Sequence, residues 1–163
     1  MIIGITGTPG TGKTTVSSYI DIETVDLKQY AEENNIGSLN SQKELEVDIQ
    51  ELRQNPPQQG EGNLVVEGHL AHFIDLDYCV VLRCRPDVLR QRLQERDYSK
   101  QKIDENVESE ALDIILSQAV RNQGKVFEVD TTDKDEKEVV EEVKQGVREE
   151  TVSYGEVDWS EFI

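Results

Sequence analysis

Residues 7–14 form the pattern with the most evident chemistry. They read GTPGTGKT, which fits the Walker A pattern G-x-x-x-x-G-K-[ST] of a phosphate-binding loop. Glycines in such a loop let backbone N–H groups close around a phosphate, because no Cβ atom stands in the way. Lys13 is long enough to reach the β- and γ-phosphates of a nucleotide, and the Thr14 hydroxyl is a suitable Mg²⁺ ligand. The loop therefore predicts a nucleotide site that begins at Gly7.

Two arginines are the next candidates. Arg92 and Arg96 lie four residues apart in the predicted helix 86–96, so they project from the same helix face. An arginine that closes over a phosphoryl group stabilises its developing charge and excludes water. A solvated basic face is the alternative interpretation. Arg83 and Arg85 follow a predicted strand and are weaker candidates at the carboxyl edge of the sheet.

A phosphate loop alone leaves the reaction open. A GTPase normally recognises guanine with an Asn-Lys-x-Asp segment after a later strand, and the chain contains none. The short chain, and an arginine-bearing helix that precedes a small flap, favour a small-molecule kinase instead.

The elements that must position these residues alternate along the chain. Apolar runs predict five buried strands, at residues 1–7, 22–27, 64–68, 78–84 and 125–132. Helical patterns occupy residues 12–20, 86–96, 105–122 and 135–150. This alternation predicts a single α/β domain over residues 1–163, in which helices flank a five-stranded parallel sheet.

The remaining segments have weaker patterns. Residues 27–54 are polar and helical, with a break near 34–41, and Ser41 with Glu44 resembles the capping box of a second helix. Residues 97–104 are predicted to be a loop or small flap, and the C-terminal tail after about residue 150 is aperiodic.

Composition limits the setting of the protein. No apolar run approaches the roughly 18 residues that span a bilayer, and no basic region precedes the apolar start, so we expect a cytoplasmic protein without a membrane segment. The 34 acidic and 17 basic residues lack the basic footprint of a nucleic-acid-binding protein, and we expect no direct DNA binding.

The acidity is explained by solubility, by a basic partner or by a salty cytoplasm, and we favour the last. Cys79 and Cys84 are predicted to be reduced, buried thiols.

Together these motifs resemble a known family. The segments GTPGTGKTT, VVEGHLAH, VVLRCRPDVLRQRLQERDYSKQKIDENVESE and VFEVDTT are similar to the archaeal and eukaryotic nuclear-type adenylate kinases. Those are small P-loop proteins that are also implicated as ATPases in small ribosomal subunit maturation. The acidic composition and the tail GEVDWSEFI resemble a member from salt-loving archaea.

The resemblance implies a P-loop nucleoside monophosphate kinase fold. Its monophosphate-binding segment corresponds to residues 27–54, its lid to residues 95–105 and its C-terminal tail to residues 150–163. ATP and Mg²⁺ are the implied cofactors, and AMP and ADP the implied substrate and product. The residues implied to bind the nucleotide are Gly7, Gly10, Gly12, Lys13, Thr14, Thr15 and Arg96.

The resemblance also assigns chemical roles. Thr14 and Glu67 are expected to serve the metal, and Gly68 to allow a close turn after the third long strand. The residues expected to act in catalysis are Lys13, Glu67, His69, Arg92 and Arg96. His69 is expected to position water or the acceptor, whereas His72 is interpreted as structural or exposed. Thr131 and Thr132 either line an adenine pocket or, more simply, cap a strand end.

One departure from the family keeps an alternative open. Ala31 stands where the family often carries an arginine, and Lys28 is the nearest cation. The leading hypothesis is an adenylate kinase with ATPase activity and a role in rRNA maturation, as a monomer or weak dimer. The alternative is an ATP-driven ribosome assembly factor with little kinase activity, whose implied partner is a basic small-subunit platform ribosomal protein. A kinase for another metabolite is a third possibility.

Overall fold

The computed structural model describes residues 1–163 and contains seven strands and seven α-helices. In chain order they are β1 (Ile2–Gly7), α1 (Lys13–Ser18), β2 (Glu23–Asp26), α2 (Leu27–Glu33), β3 (Ser38–Leu39), β4 (Leu45–Glu46), α3 (Ile49–Gln54), β5 (Leu64–Glu67), β6 (Tyr78–Arg83), α4 (Pro86–Gln94), α5 (Lys100–Ala111), α6 (Ile114–Asn122), β7 (Val126–Asp130) and α7 (Glu136–Glu149).

Five strands form one parallel sheet in the order β2-β5-β1-β6-β7, which confirms the predicted fold. Every residue of β5 and β6 is buried, as expected for strands covered by helices on both faces. Because β1 lies at the centre, between β5 and β6, the loop that follows β1 meets the carboxyl ends of both neighbours.

Helices cover the two faces with separate apolar clusters. On one face, α1 and α7 pack Val16, Val139 and Val143 against strand residues such as Ile5 and Val80. On the other face, α2 and α3 pack against β5, and α6 packs against β6 and β7. A fourth cluster joins α4 to α5 beyond the carboxyl edge of the sheet, where the phosphate loop lies.

The predicted helix that starts at the Ser41–Glu44 capping box is wrong. Residues 38–46 form the short hairpin of β3 and β4, and Lys43 adopts a left-handed conformation in its turn. The Asn40 side chain accepts the N–H groups of residues 42 and 44, which satisfies the turn without a helix. Helix α3 begins later, where the side chain of Asp48 accepts the N–H of Glu51.

Two further boundaries differ from the prediction. The irregular segment expected at 97–104 ends at Ser99, whose side chain caps α5 by accepting the N–H of Lys102. The single helix expected over 105–122 is divided into α5 and α6 by Asp113, which has a left-handed backbone. Arg83, the last residue of β6, reaches this break and contacts both the Glu110 carbonyl and the Asp113 carboxylate. These contacts with a residue distant in sequence explain the break between the two helices.

The tail packs on its own domain. Ser153 exchanges backbone hydrogen bonds with β7, and Trp159 is only 8% exposed. Cys79 and Cys84 are buried and unpaired, as predicted. None of the helices combines the length and apolar character that a membrane crossing requires.

Candidate functional site

The phosphate loop lies between β1 and α1 and depends on its glycines. Gly10 has a φ of +94°, and a Cβ atom there would lie 2.9 Å from Leu89 and 3.0 Å from Leu93 of α4. Only glycine combines this backbone conformation with such close packing. Helix α4, which carries Arg92 and ends two residues before Arg96, therefore packs directly on the loop.

Lys13 is buried at the first turn of α1 and folds back over the loop. Its Nζ donates to the carbonyl oxygens of Gly7, at 2.9 Å, and Thr8, at 3.1 Å. Burial lowers the pKa of Lys13 to about 8, against the raising effect of the Glu67 carboxylate. An anion bound in the loop would favour the charged ammonium, so a phosphate group suits this environment.

Thr14 and Glu67, the residues expected to serve a metal, are in contact. The Thr14 hydroxyl donates to Glu67 Oε1 at 3.0 Å, and burial raises the pKa of the Glu67 carboxyl. Gly68 follows with a φ of +154°. A Cβ atom there would lie 3.2 Å from Leu27, so its absence allows the chain to turn closely at this point. These hard oxygen ligands fit Mg²⁺. No cluster of three His, Cys, Asp or Glu residues surrounds a common point.

The two histidines have different surroundings. His69 is exposed to the cleft beyond β5, where loss of hydration and then the charge of Lys13 lower its pKa to about 4. Its imidazole is therefore neutral at pH 7. His72 is completely buried and hydrogen-bonds to the Thr6 hydroxyl and to Gln118, each at 2.9 Å, so it is structural.

The candidate arginines border one cavity of about 230 Å³ on the outer side of the loop. Arg92 Nη1 donates to Thr131 Oγ1 at 3.2 Å and to the Gly10 carbonyl at 3.4 Å. Arg96 is exposed and its side chain makes no hydrogen bond within the protein, which leaves it available to a ligand. The lining also includes the predicted nucleotide-binding residues Gly10, Gly12 and Thr15.

A second cavity of about 1040 Å³ lies on the opposite side of the loop. Pro9 of the loop and His69 reach it, and its other walls come from residues 27–49, from residues 68–73, from Tyr98 and from α5. Glu44 of the hairpin turn and Lys102 of α5, which both line this cavity, form an ion pair. Two cavities thus meet at the phosphate loop.

Several residues differ from their predicted roles. Arg83, a weak candidate for the carboxyl edge, is 1% exposed and pairs with Glu110, Asp113 and Glu128. Thr131 both borders the arginine cavity and caps a strand end, because its hydroxyl donates to the Arg83 carbonyl at 2.7 Å. Sequence patterns gave no signal for Glu110, which contacts the loop from 102 residues away.

The chain is similar to known relatives along its sequence and to solved structures in its fold. Residues 3–113 match the AAA_18 family, described as an AAA domain. The protein named "Putative adenylate kinase" from Thermococcus kodakarensis is 45% identical over 99% of this chain and 94% of its own. Its namesake from Methanococcus maripaludis is 34% identical over 99% and 96%.

The solved structures share the fold at low identity. Shikimate kinase from Bacteroides thetaiotaomicron has a TM-score of 0.54 at 18% identity and covers 91% of this chain and 98% of that chain. Deoxyadenosine kinase from M. mycoides with its products has a TM-score of 0.60 at 15% identity and covers 93% and 100%. Both are small kinases whose resemblance is limited to the fold.

Proposed function

Because the chain belongs to the AAA_18 family and to the archaeal proteins named "Putative adenylate kinase", we propose that it transfers the γ-phosphate of ATP to AMP. One observation carries the proposal: a cavity lies on each side of the phosphate loop, which suits a donor on one side and an acceptor on the other. An oxygen of the AMP phosphate forms the new bond to the γ-phosphorus. The bond to the β,γ-bridging oxygen breaks, and two ADP molecules result.

Each protein group has a role set by its surroundings. Lys13 and the loop N–H groups hold the phosphates, and Arg96, with Arg92 behind it, covers the charge from the outer cavity. Neutral His69 orients the acceptor or a water from the cleft. Thr14 and Glu67 would hold Mg²⁺. When bound, the ion neutralises charge on the phosphate oxygens.

The direct experiment follows the fate of the γ-phosphate. Purified protein is given ATP and Mg²⁺ with and without AMP, and with other nucleoside monophosphates, and ADP and free phosphate are quantified. The proposal predicts that AMP diverts phosphate from water into ADP, with a yield of two ADP per ATP consumed. Phosphate release that AMP leaves unchanged would contradict it.

Lys28 is proposed to supply the cation that holds the acceptor phosphate. Ala31 is completely buried in the α2 cluster, so this position offers no charge to the cleft. Lys28 lines the second cavity without an ion pair, and its positive charge is among the causes that lower the pKa of His69. We expect Lys28→Met to raise the KM for AMP about tenfold, by the loss of one charge-assisted hydrogen bond, and to leave the KM for ATP unchanged. Steady-state kinetics with each nucleotide varied measures both.

A matched control separates this effect from the loss of one charge. Lys144→Met, in α7 and outside the lining of both cavities, should leave both KM values unchanged. Equal KM values for AMP in wild type and Lys28→Met would remove Lys28 from the acceptor site.

A second function, ATP-driven ribosome assembly, is favoured by the uncharged Ala31 and by the net charge of −17. We propose that ATPase activity serves small-subunit rRNA maturation, with a basic platform ribosomal protein as partner. Phosphate release stimulated by that purified partner supports it, and no stimulation at low or high salt opposes it.

We also propose that the acidic surface is an adaptation to high salt, since its charges repel one another unless they are screened. The free energy of unfolding is expected to rise from low to multimolar KCl. A protein equally stable throughout that range contradicts the halophilic origin.

A further inference from the structure

A buried ion-pair network lies behind the phosphate loop, outside the roles described above. Arg83, at the end of β6, donates from Nε to Glu110 Oε2 at 3.1 Å and from Nη1 to Glu128 Oε2 at 2.8 Å. These three side chains are at most 3% exposed, and Asp113 adds a partly exposed carboxylate to the same guanidinium. Carboxylates from α5, the α5–α6 junction and β7 therefore hold Arg83 rigidly.

Glu110 connects this network to the loop. Its Oε1 accepts from the Thr8 hydroxyl at 3.1 Å, while its Oε2 accepts from the Cys84 N–H at 2.9 Å. One carboxylate thus joins the first residue after β1 to the first residue after β6. Thr8 is 1% exposed, so water does not compete for this contact.

Thr8 in turn helps to hold Lys13, together with the Gly7 carbonyl. The Thr8 carbonyl accepts hydrogen bonds from the Thr11 N–H at 3.2 Å, the Thr11 hydroxyl at 2.7 Å and Lys13 Nζ at 3.1 Å. A shift of the Thr8 peptide would therefore move the loop backbone and the resting position of the ammonium together.

We propose that Glu110 is a positioning residue for the phosphate loop. Through the Thr8 hydroxyl it keeps the loop and Lys13 in the conformation that receives phosphate, and Arg83 keeps Glu110 in place. A loop that is already ordered loses less conformational entropy when it binds its ligand, so the network raises the affinity for ATP. This inference rests on the proposed binding of ATP at the loop.

The test compares two substitutions of Thr8. Valine has nearly the shape of threonine but lacks the donor, whereas serine keeps the hydroxyl. We expect Thr8→Val to raise the Kd for ATP with Mg²⁺ about five- to tenfold, the loss of one buried hydrogen bond, and Thr8→Ser to stay within about twofold of wild type. Isothermal titration gives the Kd, and the KM for AMP should not change.

Two further variants separate positioning from general stability. Asp113→Asn weakens the same network without touching Thr8, so it should lower Tm but leave the Kd for ATP unchanged. Glu110→Asp withdraws the carboxylate by one methylene and should raise that Kd, which provides the test if Thr8→Val does not fold.

The outcomes discriminate clearly. An unchanged Kd for ATP in Thr8→Val overturns the inference, or in Glu110→Asp where Thr8→Val does not fold. A rise of that Kd in Asp113→Asn as large as in Thr8→Val also overturns it. Wild-type protein that binds no ATP overturns the proposed function as well.

Discussion

Lys13→Ala is expected to reduce ADP formation from ATP and AMP by about a hundred- to a thousandfold. In the folded protein the ammonium is buried among the loop carbonyls, at 2.9 Å from Gly7 and 3.1 Å from Thr8. It both contacts the phosphate loop and lies beside the Thr14–Glu67 pair; burial lowers its pKa, and the Glu67 carboxylate offsets part of that lowering. Removal of this charge leaves the transferring phosphoryl group without its main cation.

The measurement is the initial rate of ADP formation at saturating ATP, with Tm recorded in parallel. Because the Lys13 ammonium hydrogen-bonds only to backbone carbonyls, Tm should fall much less than the activity does. Lys144→Ala, a substitution on α7, is the matched control and should keep full activity. Undiminished turnover in Lys13→Ala would show that the loop is not the reaction site.

Arg83→Met is expected to have the largest effect on stability. Arg83 is the shared partner of Glu110 and Glu128, whose side chains are each 3% exposed. Methionine fills much of the same volume but leaves both carboxylates buried without their cation. Breaking a buried ion pair from one side typically costs about 3–5 kcal/mol, which in a protein of this size lowers Tm by roughly 10 °C.

The loss of stability in Arg83→Met should depend on pH. Burial already raises the pKa of Glu110, and without Arg83 the folded-state pKa rises further above the unfolded value. The folded variant then binds more protons than the unfolded chain, so its stability increases as pH falls. We expect the deficit in the free energy of unfolding relative to wild type to be smaller at pH 5 than at pH 8.

Arg85→Met is the control two residues away. Arg85 pairs with Asp87 at the surface, where water solvates both charges, so its loss should leave Tm nearly unchanged. Chemical denaturation of both variants at both pH values checks the prediction. A pH-independent deficit in Arg83→Met would mean that lost packing, and not the stranded carboxylates, accounts for it.

Lys13 and Arg83 illustrate what the sequence could and could not reveal. Lys13 stands in a local pattern, between a strand and a helix, and such a pattern can be recognised along the chain. Arg83 and Arg96 are both arginines near the carboxyl ends of predicted elements, and no local pattern distinguishes them. One is buried among three carboxylates, and the other is exposed at a cavity beside the loop.

The wrong boundaries have related causes. The Ser41–Glu44 pair has the spacing of a capping box, but in the hairpin turn the Asn40 side chain accepts the N–H groups of Gln42 and Glu44 instead. The apolar stripe over 105–122 is helical on both sides of Asp113, and the break depends on contacts made by Arg83, 30 residues earlier. A periodic pattern describes each helix face and carries no information about such a distant partner.

The amino-acid sequence by itself determined the parallel sheet, the phosphate loop and the chemistry that the loop favours, because apolar periodicity and glycine spacing act between near neighbours. Only the tertiary structure decided the contact between Thr14 and Glu67, the burial of Ala31 and the network from Arg83 to Thr8. Those features depend on which strands lie side by side, and the strand order β2-β5-β1-β6-β7 follows from packing across the whole chain.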